Sequence, residues 1–269
     1  MSEPQWQNRI RNCDMSALPH RRGLFITGTD TGIGKTVAAA GLAAAFRAEG
    51  IHTGVWKPVQ SGELPGSGRT DAERLIRAAG LTERPEEVCS FSYEAPLAPA
   101  IAAPPKAPLR MDALVESGRA LFEAYGTMII EGAGGAAVPL TDNATVTDLI
   151  AVLGMPALVI ARSGLGTVNH TLLTVHWLRH HGIRVAGVLL NDGETAMSGG
   201  DISVDRNASL IEQYGGIRVW GRLPAGLPGD DPESLANAVR TAVDIQALYA
   251  HLEEVDSAHG MDGTTVGRA

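Results

Sequence analysis

From Gly23 to about His251 the chain alternates short apolar runs with longer stretches of helical periodicity. Residues 24–27, 52–57, 127–131, 157–161, 185–191 and 217–221 read as strands. Several are apolar without interruption, as in Met128-Ile129-Ile130. A strand with one face in water alternates in polarity, so an unbroken run predicts a sheet covered on both faces. Helices are expected over residues 36–49, 71–79, 112–125, 146–153, 167–181, 205–214 and 232–252. Strands separated by helices form parallel crossovers, and such α/β sheets bind ligands at the carboxyl ends of their strands. Residues 90–109 break the pattern: Pro96, Pro99, Pro104, Pro105 and Pro108 make this stretch a long loop.

The glycine-rich segment Gly28-Thr29-Asp30-Thr31-Gly32-Ile33-Gly34-Lys35-Thr36 lies between the first strand and the first helix. This is the context in which backbone N–H groups turn inward around phosphate oxygens and a helix N-terminus adds positive potential. Lys35 supplies a point charge to the terminal phosphates and the Thr36 hydroxyl a magnesium ligand. The fold class is therefore a P-loop NTPase-like α/β domain, a parallel sheet with helices on both faces. The first glycine, Gly28, stands one position earlier than in the common pattern, which marks one branch of P-loop proteins. Partition-type ATPases of that branch carry a second lysine five residues before the main one, and here that position is Asp30.

Magnesium takes further oxygen ligands. Glu131 ends the 127–131 strand just before Gly132-Ala133-Gly134-Gly135, the Walker B position. Asp71 admits two readings from its surroundings, a metal ligand or the first-turn acid of a helix opened by the Thr70…Glu73 capping box. Lys57, in Lys57-Pro58-Val59-Gln60-Ser61-Gly62, ends the second strand and points to the ligand crevice. His176 and His180 are four apart on one helix, but with Arg179 and His181 they complement the dipole of its last turn rather than form a metal site.

Composition adds exclusions. Hydrophobic residues are 44% and charged residues 19% of the 269, an ordinary globular balance. A net charge of −8 offers no electrostatic footprint for nucleic acid. Cys13 and Cys89 lack zinc spacing and suit a reducing cytoplasm. No apolar run is long enough for a membrane. Residues 1–22 are expected to be a disordered extension, 23–252 a single domain, and 253–269 a disordered tail.

In their joint order, Gly28–Thr36, the Lys57 to Gly62 segment, Asp71, Glu131 to Gly135, Gly166-Thr167-Val168-Asn169-His170 and Asn191-Asp192 resemble the dethiobiotin synthetases, enzymes of biotin biosynthesis. The resemblance implies an ATP-dependent cyclo-ligase joining CO2 to 7,8-diaminopelargonate. It implies that Thr36, Asp71 and Glu131 hold magnesium and that Lys35 and Lys57 flank the transferred phosphoryl group and a carbamate. Thr31 and Ser61 would approach the reacting amine, and Gly132, Ala133, Gly134 and Gly135 would line the substrate with Glu131 and Ser61. Gly32, Ile33, Gly34, Lys35 and Thr36 would bind the nucleotide phosphates; Asn191 would read the base, with Leu223 and Pro224 beside it. Asn169 would cradle the substrate carboxylate of a partner subunit, so a homodimer with shared sites is implied. This chain has Gly32 where many members have an acid, and Ala100 where many have a histidine. The alternatives are the synthetase part of a cobyrinate-type amidotransferase, which needs a nucleophilic cysteine, and a partition-type switch ATPase, which Asp30 disfavours.

Overall fold

The computed structural model describes residue 18 and residues 22–193, 201–229 and 231–262. Six strands form one parallel sheet: β1 (Arg22–Gly28), β2 (Thr53–Trp56), β5 (Thr127–Glu131), β6 (Ala157–Arg162), β7 (Val185–Asn191) and β8 (Val219–Leu223). Their spatial order is β2-β5-β1-β6-β7-β8. The crossovers are helical: α1 (Lys35–Ala48) follows β1, α5 (Met111–Ala124) precedes β5, α6 (Val146–Leu153) precedes β6, α7 (Thr167–His180) precedes β7 and α8 (Val204–Gly215) precedes β8. The chain closes with α9 (Pro232–Ala242) and α10 (Ile245–Asp262).

The unbroken apolar strands serve two cores, as their pattern predicts. Leu24, Ile26 and Ile129 pack with α1, α9 and α10 on one face. Phe25, Met128 and Ile130 pack with α5, α6 and α7 on the other. Successive side chains of a strand point to opposite faces, so a run such as Met128-Ile129-Ile130 feeds both.

The structure differs from the sequence reading in several places. The proline-rich stretch is not loop throughout: it holds β4 (Phe91–Tyr93) and a helical turn, α4 (Pro99–Ala102). β4 pairs in parallel with β3 (Val59–Ser61), forming a second, two-stranded sheet beside the first. Three-residue strands are too short to show a period. The short helix α3 (Pro85–Val88), opened by its proline, likewise lies outside the expected elements. The helix expected over 232–252 is two helices, because Val243 is extended and bridges to Gly221 of β8. Asp244 then restarts the chain as α10 by accepting from Ala247 N at 2.9 Å. β8 begins two residues later than expected, which brings Leu223 into register with Asn191. The helix α10 continues to Asp262, past the expected domain end at 252. Apart from Leu18 and Arg22, the proposed N-terminal extension lies outside the described residues. No helix among the described residues is long and apolar enough to cross a membrane.

Helices α1 and α9 meet at Gly41, where a β-carbon would lie 2.6 Å from Val239 Cγ2. Gly41→Ile should therefore destabilise the protein by about 1–3 kcal/mol through overpacking, despite its better helix propensity. Chemical denaturation monitored by circular dichroism measures the difference.

Candidate active site

The site is assembled at the carboxyl ends of β1, β2 and β5, with one contribution from the start of the helix α2 (Asp71–Ala79). After β1 the chain turns through Gly32 (φ 72°) and Gly34 (φ 86°), left-handed conformations suited to glycine, into the first turn of α1. Lys35 folds back along this loop, its Nζ donating to Asp30 O at 3.0 Å. At Gly34 there is also no room for a side chain, since a β-carbon would lie 2.0 Å from Asn191 Nδ2. That amide donates to Ile33 O at 2.8 Å, tying the end of β7 to the phosphate loop.

Lys57 stands immediately after β2 and is 2% exposed; Glu131, the last residue of β5, is 1% exposed. β2 and β5 pair directly, which brings their carboxyl ends together. Lys57 Nζ lies 2.7 Å from Glu131 Oε1, 2.8 Å from Asp71 Oδ2 and 3.2 Å from Gly132 O, so each of its three protons has an acceptor. Burial alone would lower this ammonium, but Glu131 and Asp71 outweigh it and hold Lys57 well above its ordinary value. Burial would raise Asp71, yet the charge and hydrogen bond of Lys57 keep it below the usual carboxylate range. Burial pushes Glu131 up, and Lys57 only partly opposes this because Asp71 adds like charge. Lys35 is lowered, first by burial and further by Lys57.

Asp71 stands in the first turn of a helix whose cap is made by its neighbours. Thr70 and Glu73 form the capping box themselves, with Glu73 N donating to Thr70 Oγ1 at 3.3 Å and Thr70 N to Glu73 Oε2 at 3.0 Å. The Asp71 carboxylate is left free to face the phosphate loop, where it receives Lys57 and the Thr36 hydroxyl. Thr36 Oγ1 is 3.0 Å from Asp71 Oδ1 and 2.9 Å from Glu131 Oε1, yet a hydroxyl carries one proton and cannot serve both. Glu131 Oε2 is buried with no hydrogen-bond partner. The Thr36 hydroxyl converges with two carboxylates, one of which keeps an unsatisfied buried oxygen, and such an oxygen-rich set suits a hard divalent cation.

The Gly132–Gly135 segment runs back against the phosphate loop. Gly132 N donates to Ile26 O at 2.9 Å, and a β-carbon on Gly135 would lie 3.2 Å from Gly28 O. Ala133 and Gly134 continue the same turn, Gly134 with φ 66°. Between this segment, Thr31 and helix α7 lies a pocket of about 480 Å³. A second, smaller pocket of about 140 Å³ joins Ser61 to Asp71.

The family model described as an AAA domain matches residues 22–230. The ATP-dependent dethiobiotin synthetase BioD of Anaeromyxobacter dehalogenans (strain 2CP-1 / ATCC BAA-258) is 50% identical over 171 residues, 63% of this chain and 76% of that protein. That of Anaeromyxobacter sp. (strain Fw109-5) is 46% identical over 204 residues, 76% of this chain and 87% of the relative. The Bacillus cereus (strain ATCC 14579) synthetase is 40% identical over 204 residues, covering 75% and 83%. The chain belongs to the dethiobiotin synthetase family.

Of the residues that the dethiobiotin synthetase resemblance implies, the fold gathers Lys35, Thr36, Lys57, Asp71 and Glu131 into one cluster. Thr31 lines the larger pocket, and Ser61 shares the smaller pocket with Asp71, its hydroxyl donating to Leu97 O at 2.8 Å. Asn191 touches the phosphate loop; Leu223 pairs beside it, but its side chain is fully buried, and Pro224 is exposed. Asn169 lies on the exposed face of α7 and makes no hydrogen bond to the cluster among the described residues. Leu173 and Trp177, four and eight residues beyond Asn169 on that helix, line the larger pocket. Their helical spacing with Asn169 was the available signal for them. Trp177 Nε1 donates to Thr147 Oγ1 at 2.9 Å, and Thr147 Oγ1 to Ala136 O at 2.8 Å, fixing that wall to the glycine-rich turn. Cys89 is buried, and burial pushes its thiol up to about 11, the opposite of an activated nucleophile. Cys13 lies outside the described residues.

Removing the Lys57 ammonium leaves two carboxylates facing each other without compensation. Lys57→Met should cost about 3–5 kcal/mol at pH 7.5. Burial and the like charge of Asp71 push Glu131 up, and loss of Lys57 removes its main opposition, so Glu131 takes up a proton more readily and the deficit should be smaller at pH 5.5 than at pH 7.5. In the wild type the Lys57 contribution is complete below the unfolded lysine value and the Asp71 contribution above the unfolded aspartate value, so neither is lost in that window. Urea denaturation of both proteins at the two pH values checks the sign.

Proposed function

We propose that this chain is an ATP-dependent dethiobiotin synthetase that carboxylates 7,8-diaminopelargonate with CO2 and closes the ureido ring. The observation that supports this most strongly is the cluster of Lys35, Lys57, Thr36, Asp71 and Glu131 at the mouth of the phosphate loop. One substrate amine adds to CO2 and loses a proton, giving a carbamate. A carbamate oxygen attacks the γ-phosphorus and ADP leaves, giving a carbamic–phosphoric anhydride. The second amine attacks the anhydride carbonyl and loses a proton as phosphate departs.

This chemistry needs no protein nucleophile. Its barrier is the meeting of two anions, so catalysis lies in positioning and charge neutralisation. Lys35, whose charge burial disfavours, regains a favourable environment when the triphosphate lies against it. Lys57 presents its ammonium between the phosphoryl group and the carbamate. Thr31 and Ser61 approach the amines from the two pockets, and the amides of Gly132, Ala133, Gly134 and Gly135 orient the substrate. The amides of Gly32, Ile33 and Gly34 hold phosphate oxygens, and Asn191, with the Leu223 backbone and Pro224, meets the base. Thr36, Asp71 and Glu131 would hold Mg²⁺, which when bound supplies charge to the β- and γ-phosphate oxygens.

The aliphatic acid needs its carboxylate held far from its amines, and the N-terminus of α7 provides positive potential for it. In this reading two copies of the chain form a cytoplasmic homodimer and exchange these helix starts. The apolar residues beside Asn169 favour burial in such a contact: Leu165 is 78% exposed and Leu173 62%.

Mass spectrometry of a reaction containing diaminopelargonate, bicarbonate and Mg-ATP should show dethiobiotin, with none formed when any one component is omitted. ATP hydrolysis without diamine at the full rate would instead indicate a switch ATPase. Lys35→Ala should lower kcat by at least ~10²-fold, read by product formation at saturating substrates.

For the shared site, inactive Lys35→Ala and inactive Asn169→Ala chains refolded together should regain activity. Mixed dimers without activity would confine each site to one chain.

A further inference from the structure

Gln60 is part of the sequence segment that contains Lys57 and Ser61, yet no step of the reaction uses it. It is 3% exposed, in the middle strand position of β3. Its amide bridges two elements. Gln60 Oε1 accepts from Ala72 N at 3.1 Å, and Gln60 Nε2 donates to Ser92 Oγ at 2.8 Å. The amide can sit only one way round, because a backbone N–H donates and never accepts. Ser92 stands directly opposite Gln60 in the β3–β4 pair, so the small second sheet supports the amide from behind.

Ala72 follows Asp71 at the start of α2. Between Gln60 and this helix the chain passes through Gly62, Gly66 and Gly68 with φ of 112°, 110° and 74°. Glycines in such conformations leave a connection with little rigidity of its own. The loop is held to the helix by Gly66 N donating to Glu73 Oε1 at 2.7 Å and Arg77 Nη1 to Gly68 O at 3.1 Å. The capping box fixes Thr70 to Glu73 within the helix start but ties neither to the sheet. The Gln60 amide makes that tie, closing the glycine-rich loop against the strand that follows Lys57. A first-turn N–H left without a partner here would also be buried at a cost of about 1–3 kcal/mol.

We infer that Gln60 is a positioning residue that sets the Asp71 carboxylate at its distances from Thr36 and Lys57, and thereby the affinity of the divalent-cation site. This rests on the reading of Asp71 as a metal ligand.

The test is direct binding of Mn²⁺ to the ADP-loaded protein, with free Mn²⁺ read by electron paramagnetic resonance. Asp71→Asn should weaken binding by at least about tenfold, and Gln60→Met, which keeps the volume but removes the acceptor, by about three- to tenfold. In the Asp71→Asn background Gln60→Met should add less than about twofold, since both act through one carboxylate. Leu75→Ala, which truncates a buried side chain of the same helix, should lower Tm and leave the Mn²⁺ affinity as in wild type. A Gln60→Met protein with reduced Tm and wild-type Mn²⁺ affinity would overturn the inference while Asp71→Asn still supports the ligand assignment. Unchanged affinity in Asp71→Asn would overturn both. If Gln60→Met does not fold, Ser92→Ala carries the test: a weaker site is expected, and wild-type affinity overturns the inference.

Discussion

A lysine ammonium buried between two carboxylates is the constraint on which the rest of the site depends. Lys57 can be charged at 2% exposure only because Glu131 and Asp71 lie within 2.8 Å of its Nζ. A buried charge without partners would cost several kcal/mol or lose its proton. The charge and its compensation come from three separate elements: the end of β2, the end of β5 and the start of α2. Each must end or begin where it does, or the charges fall out of register. The parallel β2–β5 pairing makes the first two coincide, since Trp56 is opposite Ile130 and the next residue of each strand carries the charge. The third is brought in across a glycine-rich loop and needs its own anchors.

The same cluster is short of protons. Thr36, Asp71 and Glu131 bring more acceptors together than they have protons, and Glu131 keeps one oxygen unsatisfied. In a purely structural site these defects would be a net cost. Next to a phosphate loop whose lysine is held below its ordinary value by burial, they describe a surface complementary to a cation and a polyanion together. Membership of the dethiobiotin synthetase family is consistent with such a surface.

Much of this was legible in the residue order. The continuous apolar strands, the glycine-rich turn before Lys35, and the acids and lysine at strand ends are local patterns, and each appears where expected. Strand–helix alternation implies a parallel sheet, and the sheet implies which ends converge. Asp71 was ambiguous because a capping-box helix start explains an acid there equally well. Only the distances to Lys57 and Thr36 show that the Asp71 carboxylate also faces the phosphate loop.

What the sequence determined by itself is the strands of the main sheet, most of the helices between them and the residues at their ends, because periodicity and turn chemistry act over a few neighbours. The tertiary structure decided the rest. It split the last expected helix at Val243, which bridges to a strand 22 positions earlier. It paired β3 with β4 inside a stretch whose prolines read as loop, and so placed the Gln60 amide against α2. It set Leu173 and Trp177 of α7 across the pocket from Thr31. Each of these rests on a contact between segments far apart in the chain, whose energy depends on the distance closed by the whole fold and leaves no period in the sequence.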